Sequence, residues 1–148
     1  MFLNKKTIFK IMKEKISVVI PILNESSVIK NCLKHLLVQK ETPFDVIVVD
    51  NGSIDNGRKI ADSLKILFAK KGIILKTFYY PIGNQVNARD FGTRKAGGEI
   101  ICFLDADAFA DSMILLPLEF MIGSVGYISQ VEQSRKAQEL NKKSIFEP

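Results

Sequence analysis

Two aspartates, Asp105 and Asp107, follow directly on the apolar run Ile100–Leu104 with only Ala106 between them. Neighbouring carboxylates repel, and beside a buried strand that repulsion is costly unless a positive partner offsets it. A hard divalent cation is the natural partner, because Mg²⁺ or Mn²⁺ takes one or two carboxylates and completes its shell with water and phosphate oxygens. Such an ion would neutralise a departing diphosphate, a Lewis-acid role. The same residues also suit a plainer use, capping a turn or a following helix. Polar residues end two other apolar runs: Pro21-Ile22-Leu23-Asn24-Glu25 after Ile16–Ile20, and Asp50-Asn51-Gly52-Ser53 after Val46–Val49. Here too a plain reading stands beside the chemical one. Asp50, Gly52 and Ser53 suit a turn that caps the next helix, and Glu25 suits a first-turn helix carboxylate.

The elements that must position these groups show as changes of hydrophobic period. Ile16–Ile20 is a short β-branched run ended by Pro21, which predicts a strand buried on both faces. Val28, Ile29, Cys32, Leu33, Leu36 and Leu37 then fall on one helical stripe, with Asn24, Ser26 and Ser27 as candidate N-cap oxygens. Val46–Val49 predicts a second buried strand. A second helix follows with Ile60, Ala61, Leu64, Leu67 and Phe68 on one face and Asp55 in its first turn. Ile73–Tyr80, between Gly72 and Pro81, predicts a third strand in which Phe78, Tyr79 and Tyr80 pack. Asn84–Ala96 reads as a helix despite Gly92, Gly97-Gly98 ends it, and Ile100–Leu104 predicts a fourth strand. This alternation implies an α/β fold on a parallel sheet with right-handed crossovers. For four strands the expected order is 3-2-1-4, which sets a ligand crevice at the carboxyl ends of strands 1 and 4.

Composition narrows the class. A chain of 148 residues, 47% hydrophobic and 25% charged, fits one ordinary globular domain and not a disordered or fibrous protein. The net charge of +5 gathers toward the ends, at Lys5, Lys6, Lys10, Lys13 and Lys15 and again at Arg135, Lys136, Lys142 and Lys143. Lysines so placed read as solvated tails, not as a nucleic-acid surface. Residues 1–15 form a basic leader without the continuous apolar stretch of a secretory signal. Met113–Ile128 approaches a membrane span in length but holds Pro117 and Glu119, which predicts a buried or interfacial element. Cys32 and Cys102 lie in apolar surroundings and in no metal-ligand spacing. Both therefore read as reduced core thiols, and the location as cytoplasmic, with peripheral attachment to a membrane as the alternative.

Four of these segments, in order, resemble signatures of the family 2 glycosyltransferases. Ile16–Glu25 resembles their opening strand and loop, and Val48–Asp55 their second signature. Asn87-Ala88-Arg89-Asp90-Phe91-Gly92 and Gly98–Asp107 are similar to their third block and D-x-D motif. The resemblance implies a domain over residues 16–112, with 113–148 as a divergent tail. The implied fold is GT-A, a Rossmann-like architecture with a mostly parallel sheet and flanking helices, incomplete relative to the full family domain. The implied activity is transfer of a sugar from a UDP-, GDP- or dTDP-linked donor to an acceptor hydroxyl, assisted by Mn²⁺ or Mg²⁺. By matching position, Pro21, Leu23, Asn24 and Glu25 would wall the base and ribose. Leu23 stands where the family often has an aromatic ring, so it has no ring to stack on a base. Asp50 and Asn51 would approach the base, Asn51 through its amide oxygen in place of a second aspartate. Arg89 would face the nucleotide or its diphosphate. Asp105 would reach the ribose or a metal-bound water, and Asp107 would ligate the metal.

Inversion at the anomeric carbon needs a general base near the acceptor hydroxyl. The acids after Asp107 (Asp111, Glu119, Glu132, Glu139 and Glu147) fall in no matching motif, so no base is named. Three readings stay open. The first is an active transferase whose acceptor half comes from another chain or a second copy. The second is a shortened product that binds a nucleotide sugar without turning it over. The third is a flavodoxin-like regulatory or interaction module. A phosphoacceptor module of that kind needs acids directly after strand 1, and Asn24-Glu25 meets the need poorly.

Overall fold

The computed structural model describes residues 15–39, 44–82 and 84–107. Along the chain run β1 (Ile16–Ile22), α1 (Ile29–Leu37), β2 (Phe44–Asp50), α2 (Gly57–Ser63), α3 (Lys65–Lys70), β3 (Ile74–Tyr79), α4 (Gln85–Lys95) and β4 (Ile100–Phe103). The strands form one sheet in the order β3-β2-β1-β4, parallel throughout, as the alternation of periods predicts. The remainder of the leader, the apolar run at 113–128 and the tail lie outside the described residues. Among the described residues no helix is long and apolar enough to cross a membrane.

Both faces of the sheet are covered, which is why its central strands read as unbroken apolar runs. Val18, Ile20, Ile22, Val46 and Val48 pack with Ile29, Cys32, Leu33 and Leu36 of α1, Ala61 of α2 and Phe68 of α3. Val19, Ile47, Val49 and Ile101 face the other way, onto Ala88 of α4. That second helix-sheet contact depends on a glycine. A Cβ on Gly92 would stand 2.4 Å from Val19 Cγ1 and 3.2 Å from Val49 Cγ2. The residue that weakens the helix by propensity is the one that lets it lie against the sheet.

The amino ends of all four strands are tied by one polar cluster. Asp45, fully buried on β2, accepts from Ser17 Oγ of β1 and from the Gly97 N–H at 3.1 Å. Lys76 Nζ of β3 lies 3.3 Å and Lys15 Nζ 3.8 Å from the same carboxylate. Ser17 Oγ in turn accepts from the Gly98 N–H at 2.7 Å. Burial pushes the Asp45 carboxyl up, but the hydrogen bonds from Ser17 and Gly97, the charge of Lys15 and the hydrogen bond from Lys76 outweigh it, so the net shift is downward.

Several local expectations are corrected. β1 runs through Pro21 to Ile22. Val19 O accepts from the Leu104 N–H, so odd residues of β1 turn their polar groups toward β4. β4 ends at Phe103, opposite Val19, so the missing N–H of Pro21 breaks no ladder bond. The second helix divides at Leu64, where Ser63 Oγ donates to Ile60 O and the Leu64 N–H bonds Ala61 O. The break turns Leu67 outward, 42% exposed, off the apolar face on which the sequence put it. Asp55 precedes α2 instead of lying in its first turn, which holds no acid. α1 starts after Val28 with no side-chain cap, because the oxygens of Asn24 and its neighbours serve the loop described below.

Candidate functional site

The loops after β1 and β2 are sewn to each other at the carboxyl end of the sheet. Asn24 adopts a left-handed backbone with φ 56°, which asparagine tolerates better than most residues. Its Oδ1 accepts from the Ile54 N–H and its N–H donates to Ser53 Oγ, both at 2.9 Å. Asp55 repeats the stitch. Its carboxylate accepts from Ser26 N–H at 2.8 Å and Gly57 N–H at 2.9 Å. The Gly57 bond, with the Ser26 bonds, holds its carboxyl below the usual range against a smaller desolvation effect. Ser53 and Asp55 thus join loops across some thirty positions of sequence, a role that cap preferences do not reveal.

Asp50, at the end of β2, is only 4% exposed. Its Oδ1 accepts from the Ser53 N–H at 2.8 Å, so the turn reading of Asp50 holds. Its Oδ2 lies 3.8 Å from Nε of Arg58, whose guanidinium lies 5.5 Å from the centre of the Tyr79 ring. Tyr79, expected to pack with its neighbours, is exposed, whereas Phe78 and Tyr80 pack on Phe91 of α4. Asn51 is anchored through its N–H to Ile22 O at 2.9 Å. Its side-chain Oδ1 is buried and has no hydrogen-bond partner among the described residues. Pro21 is buried and Leu23 is half exposed. Glu25 contributes its carbonyl, which accepts from the Val28 and Ile29 N–H groups at 3.1 and 3.0 Å.

The two aspartates after β4 part company. Asp105 is pulled toward α4, where its Oδ1 accepts from Arg89 Nη2 at 2.7 Å and Gln85 Nε2 at 3.2 Å. The Arg89 guanidinium also lies 5.7 Å from the centre of the Phe103 ring. Asp107 is exposed, and its charge reaches Cys32 of α1. Burial, with that charge added, pushes the Cys32 thiol up to about 12. Arg89 thus offsets the charge of Asp105 within the protein. Ala106 anchors the turn between the two aspartates by packing in the core.

Sequence reasoning missed two residues here, Gln85 and Arg58. Gln85 stands one helical turn before Arg89, and that spacing is the one signal that marks it. Nothing in the spacing marks Arg58. The donor set fits a hard cation at its minimum: an exposed Asp107 and the Oδ2 of a half-exposed Asp105, with phosphate oxygens to complete the shell. No cluster of three or more acids, histidines or cysteines occurs among the described residues, so a cation here needs its ligand's oxygens.

A parallel sheet in the order β3-β2-β1-β4, with acidic and amide groups gathered past β1, β2 and β4, defines an α/β domain of the doubly wound kind, in which ligands bind past the carboxyl ends of the strands. The Glycosyl transferase family 2 profile matches residues 17–122, and the chain belongs to that family. Over 96 residues it is 32% identical to the glycosyltransferase GlyG of Streptococcus pneumoniae, covering 65% of this chain and 31% of GlyG. TarS of S. aureus superposes with a TM-score of 0.63 at 26% identity, over 74% of this chain and 32% of TarS residues 1–349. The mannosyltransferase PcManGT of Pyrobaculum calidifontis superposes with a TM-score of 0.57 at 26% identity, over 65% of this chain and 28% of that one. These neighbours make the fold GT-A. The chain spans about a third of the length of GlyG and of the TarS segment it matches.

Proposed function

We propose that this domain is the donor half of a glycosyltransferase, binding a nucleoside-diphosphate sugar with Mn²⁺ or Mg²⁺ across the carboxyl ends of β1, β2 and β4. The observation that carries the reading is the buried Asn51 acceptor without a partner among the described residues, beside Asp50 and the sewn loops, on the same rim as the Arg89–Asp105 pair. Asp50 and Asn51 accept from a base N–H, and the Arg89 guanidinium balances negative charge of the nucleotide. Asp107 and the second oxygen of Asp105 hold the cation, which supplies charge neutralisation to a departing diphosphate. Support also comes from similarity to TarS, solved with UDP and with UDP-GlcNAc, and to PcManGT, solved with GDP-Man and Mn²⁺.

Calorimetric titration of the full chain with UDP-, GDP- and dTDP-sugars, with and without Mn²⁺, tests the reading. One donor binds in a Mn²⁺-dependent manner, and Asp107→Ala removes the dependence. Absence of metal-dependent binding for every donor, or binding indifferent to Asp107→Ala, overturns it.

A further inference from the structure

We propose that Gln85 is a positioning residue that keeps one oxygen of Asp105 free for ligand; the inference rests on the donor-site reading above. Arg89 and Gln85 stand one turn apart on α4, and both donate to Oδ1 of Asp105, at 2.7 and 3.2 Å. Arginine forms its strongest contact with a carboxylate through two N–H groups, one to each oxygen. Here the contact is single. Nε of Arg89 is buried and has no hydrogen-bond partner among the described residues.

An unmade hydrogen bond on a buried N–H favours any movement that satisfies it. Rotation of the Asp105 carboxylate would do so, by bringing Oδ2 to Nε and closing the two-point grip. Packing does not oppose that rotation, because Asp105 lies past the end of β4 with its side chain 52% exposed. The Gln85 amide does oppose it, by drawing Oδ1 toward the start of α4. Gln85 is itself set in place by the helix cap, in which Asn84 Oδ1 accepts from the Asn87 N–H at 2.8 Å. With Gln85 present, Oδ2 stays open to a ribose hydroxyl or a cation. Without it, both oxygens are taken by Arg89 and the donor site loses an acceptor.

Two measurements on the full chain test this, one of them independent of any nucleotide. In the ligand-free protein, Gln85→Ala moves the Arg89 Nε–H signal in ¹H–¹⁵N spectra downfield and slows its exchange with water, because that group gains a partner. An unchanged signal overturns the proposal. With Mn²⁺ plus UDP or GDP as the calorimetric probe, Gln85→Ala binds about tenfold more weakly than wild type, the loss of one charge-assisted contact. The difference disappears in an Arg89→Lys background, since lysine has no fork to close. A loss that persists with Arg89→Lys marks direct ligand contact and overturns the positioning role. Wild type and Gln85→Ala binding equally well also overturns it, while leaving the donor site intact. If wild type binds neither nucleotide, the donor-site reading fails, and the Nε–H signal alone decides the Gln85 clamp.

Discussion

The Gly92→Ala substitution sets two effects of opposite sign against each other. Alanine favours an interior helix position by about 1 kcal/mol over glycine, so on propensity alone the variant gains stability. Against this, the new Cβ falls 2.4 Å from Val19 Cγ1, where ordinary carbon contacts need about 3.5–4.0 Å. Val19 sits on an interior strand at 0% exposure and has little room to yield. The shortfall of more than 1 Å puts the overpacking cost in the upper half of its usual range, about 2–3 kcal/mol. The net expectation is destabilisation of about 1–2 kcal/mol, read from the urea midpoint by circular dichroism at unchanged slope. Val19→Ala alone costs about 2 kcal/mol by removing buried methyl groups. In the double variant the new Cβ fills part of the space left by Val19, so the two costs couple favourably by about 1 kcal/mol or more. A neutral or stabilising Gly92→Ala, or strict additivity in the double variant, would refute close approach as the reason for this glycine.

Two further outcomes are expected. Asp45 is held below its ordinary value of 3.8 on folding, so it contributes stability that is present above that value and lost as the pH falls through the lower folded one. Asp45→Asn should flatten the acid limb of a stability–pH profile in part, since Asp55 and Asp62 are lowered too, and cost about 1–3 kcal/mol at neutral pH through lost hydrogen bonds; an unchanged acid limb would dismiss the linkage. Burial raises both thiols, Cys32 to about 12, so a disulfide reagent at pH 8 should label neither cysteine until urea unfolds the chain, and rapid labelling of the folded protein would contradict the packing.

What the sequence reveals and hides follows the range of the forces involved. Sheet order and element types are legible because hydrophobic period is local and both sheet faces are covered. Pro21 misleads, since its effect depends on where the neighbouring strand β4 stops, which no local rule contains. Asn24 and Ser53 look like helix caps, yet each finds its partner in the other's loop. Arg89 and Asp105 are each marked by motif, but their pairing is set by how α4 lies on the sheet. Gln85 carries no motif, and an exposed amide in a first turn is indistinguishable from solvated surface until its partner is seen.

The same helix links the two ends of the sheet. At its start, Gln85 and Arg89 hold Asp105 at the carboxyl rim. In its middle, Gly92 lets it approach β1 and β2. At its end, Lys76 Nζ donates to Lys95 O at 3.3 Å, and the Gly97-Gly98 turn is bound by Asp45 and Ser17. A Cβ on Gly98 would stand 2.5 Å from Lys15 O, so this turn has little freedom to shift. A helix fixed at three places transmits little slack to the side chains at its free rim. That explains how one charged residue on an exposed turn, Asp105, is kept in a defined orientation although its own surroundings do not pack it. The buried cluster around Asp45, far from the donor crevice, thus bears on the crevice through the placement of α4. Loosening that cluster should disturb the Arg89–Asp105 geometry before it disturbs the sewn loops of β1 and β2, whose bonds are independent of α4.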